Sequence, residues 1–228
     1  MRTLFIIVLL IFSHGSFAQK IKYINADSSA FVLAMEIGDQ SAATDALIRI
    51  VSKDPNNIEK LYSLAEFYFD TERYDQCINT SYIVIKKKEN HEKALLLLAN
   101  CYDKKNNPSA AIVVYSKLDS IQPSANLKYQ LATMLFQKQK FQEALMKLES
   151  IIQDSSSMKT SIQITYINDQ KQNTQQSVPL MAAAFNMAGF ILLQHNEKEK
   201  AKQLFTQALQ IMPDFHLAKG NLTSISEQ

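Results

Sequence analysis

An all-α array of stacked helix pairs is the fold this sequence predicts, and three observations predict it. The first is a repeat of about 34 residues. The set Leu61, Leu64, Ala65 and Tyr68 returns as Leu95, Leu98, Ala99 and Tyr102, then as Lys128, Leu131, Ala132 and Leu135, then as Phe185, Ala188, Gly189 and Leu192. A fixed period in this range marks supersecondary units that bury their apolar faces by stacking. The second is the spacing within each set, i, i+3, i+4 and i+7, which makes one stripe on a 3.6-residue helix. The third is composition: four glycines and no tryptophan in 228 residues suit helices better than a turn-rich β sandwich.

The first element lies outside the array. Met1-Arg2 is basic, Leu4 to Phe12 is an unbroken apolar run, and Ser16-Phe17-Ala18 supplies small residues before a cut. This predicts a cleaved secretory signal peptide over 1–18. The apolar run is about half the length needed to span a bilayer, and no later stretch is apolar enough to do so. No cysteine follows the run to carry a lipid anchor. The array is then expected over 19–228, with a balanced charge (24 Lys and Arg against 22 Asp and Glu, Arg2 falling in the leader). That balance gives no footprint for nucleic acid or an anionic membrane.

Each first helix is followed by a polar turn and a second helix led by a small residue. The second-helix sets are Ala43, Leu47 and Ile50; Cys77, Ser81 and Val84; Ala111, Tyr115 and Leu118; Ala144, Leu148 and Ile151; and Ala201, Phe205 and Ala208. The small residue admits close helix approach, and the larger ones fill the groove between units. Pro55, Pro123 and Pro213 each fall just past a second helix, which proline cannot continue. Asn107-Pro108 reads as an N-cap with proline in the first turn, and Gly38 breaks the first pair. The units run at about 24–57, 58–91, 92–124, 125–158 and 182–215, with a capping helix at about 215–226 whose solvent face would carry Lys219, Asn221 and Ser224.

These residues resemble the tetratricopeptide repeat family, whose pattern is W-x2-L-G-x2-Y, then A-x3-F, then P. The unit at 182–215 matches best, through Phe185, Ala188, Gly189, Ala201, Phe205, Ala208 and Pro213. The unit at 92–124 follows, through Leu98, Ala99, Tyr102, Ala111, Tyr115 and Pro123. The units at 58–91 and 125–158 are looser: Ser81 stands in place of the aromatic, Glu89 in place of the proline, and Lys128 in place of the first bulky residue. The segment 24–57 keeps only its second half clearly. The resemblance implies a right-handed superhelical array whose first helices line a concave groove.

One segment breaks the period. Between Ala144 and Ala201 lie 23 residues more than one repeat. Ile162, Ile164 and Tyr166 alternate there with Gln163 and Thr165, which suits a strand. Asn168-Asp169-Gln170-Lys171 suits a turn, and Gln172 to Val178 a weaker return strand. The segment 155–179 therefore reads as a β-hairpin insertion, the alternative being a disordered glutamine-rich loop. Insertions in repeat arrays often serve binding.

No constellation for catalysis is present. His91, His195 and His216 are isolated near helix ends, where histidine is usually solvated or capping. H-E-x-x-H, a zinc-spaced cysteine pair, a P-loop, a dinucleotide fingerprint and G-x-S-x-G are all missing. No metal or cofactor is expected, and the chain does not read as an enzyme. Lys86-Lys87-Lys88 reads as a basic helix end facing its own dipole. Cys77 and Cys101 sit on apolar helix faces as two core thiols, although export would permit a disulfide.

What remains is the groove implied by the resemblance. Its expected partner-facing residues are Tyr62, Glu66, Phe69, Lys93, Asn100, Asp103, Tyr129, Phe136, Asn186 and Phe190. Tyr62, Tyr129 and Asn100 are the stronger candidates, since the three phenylalanines can equally pack against the adjacent first helix. Aromatics interleaved with polar groups suit an extended peptide or a partner helix. The expected role is a non-catalytic protein-binding scaffold of the bacterial cell envelope, periplasmic or secreted. The alternative is a subunit of a self-associating or multi-protein envelope assembly.

Overall fold

The computed structural model describes residues 26–168 and 170–226. The expected leader and Asp169 of the expected turn lie outside them. Among the described residues are eleven α-helices and one two-stranded sheet. The helices pair as α1 (Ala26–Glu36) with α2 (Gln40–Ser52), α3 (Ile58–Asp70) with α4 (Tyr74–Lys87), α5 (Glu92–Lys104) with α6 (Pro108–Ile121), α7 (Ala125–Gln137) with α8 (Phe141–Ile152), and α9 (Leu180–Gln194) with α10 (Lys198–Ile211). A final helix, α11 (His216–Ser226), packs on α10 and α9. The described residues form two compact units, 26–122 and 123–226.

The turn inside every pair has one geometry. Gly38, Glu72, Asn106, Gln139 and Asn196 all have positive φ, between 54° and 74°. At each, two backbone N–H groups fold back onto the helix just ended. Glu72 donates to the Phe69 carbonyl and Arg73 to the Tyr68 carbonyl, and the other four turns repeat this pattern. This is the Schellman stop, which satisfies the last carbonyls of a helix with one left-handed residue. Only the first pair meets the requirement with glycine. The other turns hold a β-carbon where it is disfavoured. Gln139→Gly is therefore expected to stabilise the protein by about 1 kcal/mol, and Gly38→Ala to destabilise it by a similar amount. Thermal unfolding of the two variants checks both signs.

Three first helices start from side-chain caps. Asn57 accepts from the Lys60 N–H, His91 from Ala94 and Ser124 from Leu127. Asn107 does the same for α6, with Pro108 in its first turn. All fifteen residues of the second-helix sets are buried. Cys77 and Cys101 are buried and unbridged in α4 and α5. The hydrogen bond with the Cys77 sulfur, and after it burial, push the Cys101 thiol well above its ordinary range.

The extra residues in the second unit form a short 3-10 turn, Ser155–Met158, then β1 (Ser161–Ile167) and β2 (Asn173–Pro179). The strands pair antiparallel, with Ile164 opposite Gln176. Lys171, at φ 60°, closes the loop, and Asn168 Oδ1 accepts from the Gln170 and Gln172 N–H groups. Ile164 and Val178 are buried. The Tyr166 ring stacks on His216, with centroids 4.5 Å apart. Gln176 donates to the Asp214 carbonyl (2.8 Å) and accepts from the His216 N–H (3.2 Å). The hairpin thus caps the start of α11 as well as covering α9.

That cover explains α9. It carries no charged residue from Leu180 to Gln194 and is buried on nearly every side, among α7, α8, α10, α11, the hairpin and the 3-10 turn. A helix apolar all round is stable only inside such a shell. Asn221, expected on the solvent face of α11, instead turns inward and donates to Asn186 Oδ1 at 2.9 Å.

Candidate functional site

Within residues 26–122 the first helices α3 and α5 lie side by side. Tyr62 of α3 stands where they meet. Its ring lies 5.3 Å from the His91 ring, and Lys93 Nζ lies 5.9 Å from its centroid. Burial, followed by a hydrogen bond with Glu66, holds the Tyr62 hydroxyl well above its ordinary range. Glu59 Oε1 is 4.0 Å from His91 Nε2. An aromatic face is thus framed by one exposed lysine and two carboxylates, and an ammonium near a tyrosine ring contributes about 0.5–1 kcal/mol at such a site.

The repeat places these groups together. Tyr62 follows the first stripe residue of its unit, Leu61, while His91 caps α5, the first helix of the next pair, and Lys93 lies in its first turn. His91 is buried rather than solvated. Its Nδ1 accepts from Ala94 N–H, which fixes the proton elsewhere on the ring. Burial lowers the His91 pKa, Glu59 opposes this, and Lys88 and Lys93 add to the lowering. The folded state therefore favours neutral His91. Its contribution to stability is present above the unfolded value of about 6.5 and is lost as pH falls through the lower folded value. His91→Asn keeps a good N-cap without the titration. It is expected to flatten the fall in stability below about pH 6.5, as read by urea melts at stepped pH.

The remaining expected residues of this unit lie further along the same helices. Phe69 is half-buried, edge-on to Tyr74 at 5.7 Å. Asn100 accepts from the hydroxyl of buried Tyr115 at 2.5 Å. Asp103 is exposed, yet desolvation by neighbouring protein raises its carboxyl above the ordinary range, against the pull of Lys104. The Tyr82 and Tyr102 hydroxyls are hydrogen-bonded at 2.8 Å, a pairing that the repeat spacing does not reveal. Burial and that bond push the Tyr102 hydroxyl up to about 12.

In the second unit the expected residues are placed differently. Tyr129 is only 5% exposed, so it presents no face to a partner in this structure. Asn186 is buried and bonded to Asn221. Phe136 and Phe190 meet edge-on at 5.8 Å, joining α7 to α9. Phe141 extends this cluster to His195, 4.6 Å away. Phe136 and Phe190 thus pack between the first helices α7 and α9. Among the described residues, no group of three His, Cys, Asp or Glu side chains could hold a metal ion, and no helix is long and apolar enough to cross a membrane.

Like-built helix pairs, each closed by the same turn, define a helical repeat protein. The family model for the tetratricopeptide repeat matches residues 92–124 and 182–215, and these two segments carry that repeat. Among solved structures it is similar to MamA, at 17% identity and TM-score 0.59, over 83% of this chain and 95% of that one. It is also similar to YrrB, described as a tetratricopeptide repeat protein with an unusual peptide-binding site, at 16% identity and TM-score 0.59, over 83% and 87%. A MamA fragment from Desulfovibrio magneticus RS-1 aligns at 13% identity and TM-score 0.58, over 83% and 94%. No curated protein sequence matches significantly. Tetratricopeptide repeats generally mediate protein–protein interaction.

Proposed function

We propose that this chain is a non-catalytic scaffold of the bacterial cell envelope that binds a peptide or partner helix on the first-helix face of residues 58–104. The observation that carries the reading is the Tyr62 cluster. It offers a half-buried aromatic ring flanked by Lys93 and Glu66, contributed by two adjacent repeats. A preformed aromatic with a polar frame is what a binding hot spot requires. The peptide-binding site named for YrrB supports the same use of this fold. Envelope placement follows from the basic start, apolar run and small-residue cut over 1–18.

Joint replacement Tyr62→Ala and Lys93→Ala is expected to weaken partner capture from envelope extracts at least tenfold while helicity by circular dichroism stays unchanged. Lys93→Glu, which leaves the packed ring in place, is expected to weaken capture on its own. Undiminished capture by both variants would show that this face is not the binding surface.

A further inference from the structure

The hairpin has an open edge, and its geometry names what fits there. Leu180 N–H donates to the Thr160 carbonyl, and Asn168 N–H to the Gln172 carbonyl. Both pairs lie in register with the β1–β2 ladder. Bonded and non-bonded pairs alternate along an antiparallel ladder. Ile162, Ile164 and Tyr166 therefore spend their backbone groups on β2, while Ser161, Gln163, Thr165 and Ile167 turn theirs outward. Among the described residues, none of these four has a backbone partner outside the hairpin.

Natural edge strands are protected by charge, proline, a bulge or a cover. β1, Ser-Ile-Gln-Ile-Thr-Tyr-Ile, has no charge, no proline and no bulge. Its outer-face residues are exposed or half-buried, Ile167 at 63%. β2 is more polar and ends in Pro179, which lacks a donor. β1 is the edge left open.

We infer that β1 pairs antiparallel with β1 of a second copy of this chain, joining two hairpins into a four-stranded sheet. The strand is complementary to itself about Ile164. A two-fold axis there sets Gln163 opposite Thr165 of the second copy and Ser161 opposite its Ile167. Every outward backbone group then finds a partner. Because the seven residues carry no charge, the strand meets itself without the like-charge penalty that would forbid most edges. The inference uses a different surface from the Tyr62 cluster and does not depend on it.

The test is the oligomeric state of the purified protein by sedimentation equilibrium. Wild type is expected to dimerise. Gln163→Lys with Thr165→Lys sets lysine against lysine across the axis and is expected to raise the dissociation constant about tenfold or more. Gln163→Lys with Thr165→Glu sets lysine against glutamate and is expected to restore the dimer. Thr165→Pro removes an outward N–H without removing a β1–β2 bond and is expected to give monomer with the helical signal intact. A monomeric wild type, a dimer indifferent to the double lysine variant, or failure of the Lys/Glu pair to restore it would overturn the proposal. So would a monomer whose edge takes up an extended peptide instead.

Discussion

Gly189→Ala is expected to destabilise the protein by about 1–3 kcal/mol, although alanine is the better helix former by nearly 1 kcal/mol. A β-carbon at this position would lie 2.7 Å from Phe205 Cε1 and 3.2 Å from the Ala201 carbonyl oxygen. Phe205 is fully buried, and a close-packed interior leaves a ring little room to shift. Ala201 leads α10 into this contact, so the backbone itself stands against the new methyl. Overpacking therefore outweighs propensity. Phe205→Leu alone should also destabilise. In the double variant, however, the smaller side chain leaves room for the methyl. The two effects are expected to fall short of additive by at least 0.5 kcal/mol, as for residues in direct contact. Urea denaturation of the two single variants and the double variant measures the coupling. Full additivity would mean that the glycine is not held by the ring.

Ile164→Ala is expected to cost about 2–5 kcal/mol, a core-sized loss from a strand in an inserted hairpin. Ile164 is 3% exposed, and β1 and β2 cover α9. The consequence should spread beyond the strand. Tyr166 stacks on His216, and Gln176 bonds both sides of the α10–α11 junction. Loosening the hairpin should therefore speed amide exchange at Phe215–Ala218 more than in α8. Equal protection at these two places in wild type and variant would show that the hairpin is an appendage. A variant at Ile167, whose side chain points to solvent, should change stability by no more than about 0.5 kcal/mol.

Much of this was legible in the sequence because the repeat reports stacking directly. The stripe and second-helix positions predicted the pairs, and the alternation Ile162, Ile164, Tyr166 predicted the strand. Other features were hidden. The left-handed residues Glu72 and Gln139 carry no compositional signal, since the motif's hydrogen bonds hold them in a conformation that only Gly38 and, more weakly, Asn106 and Asn196 announce. Asn221 looked solvent-facing because helix periodicity alone does not reveal that buried Asn186 needs a partner. Tyr129 occupies a groove position by repeat register, but register gives no account of burial by surrounding side chains. His91 reads in the sequence as a solvated or capping residue, and it caps α5. Its place beside Tyr62 follows only from seeing adjacent helix pairs together, one supplying the ring and the next the imidazole and the ammonium.

Contact between the Tyr62 face of α3 and α5 and another protein in the cell is read by site-specific photo-cross-linking in intact cells. A benzophenone amino acid is placed at position 62, at position 93, and at position 113, where Val113 is exposed on the second helix α6. The same discrete protein adduct is expected from positions 62 and 93 and none from position 113. No adduct at 62 and 93, or one equally strong at 113, would rule out a partner on this face.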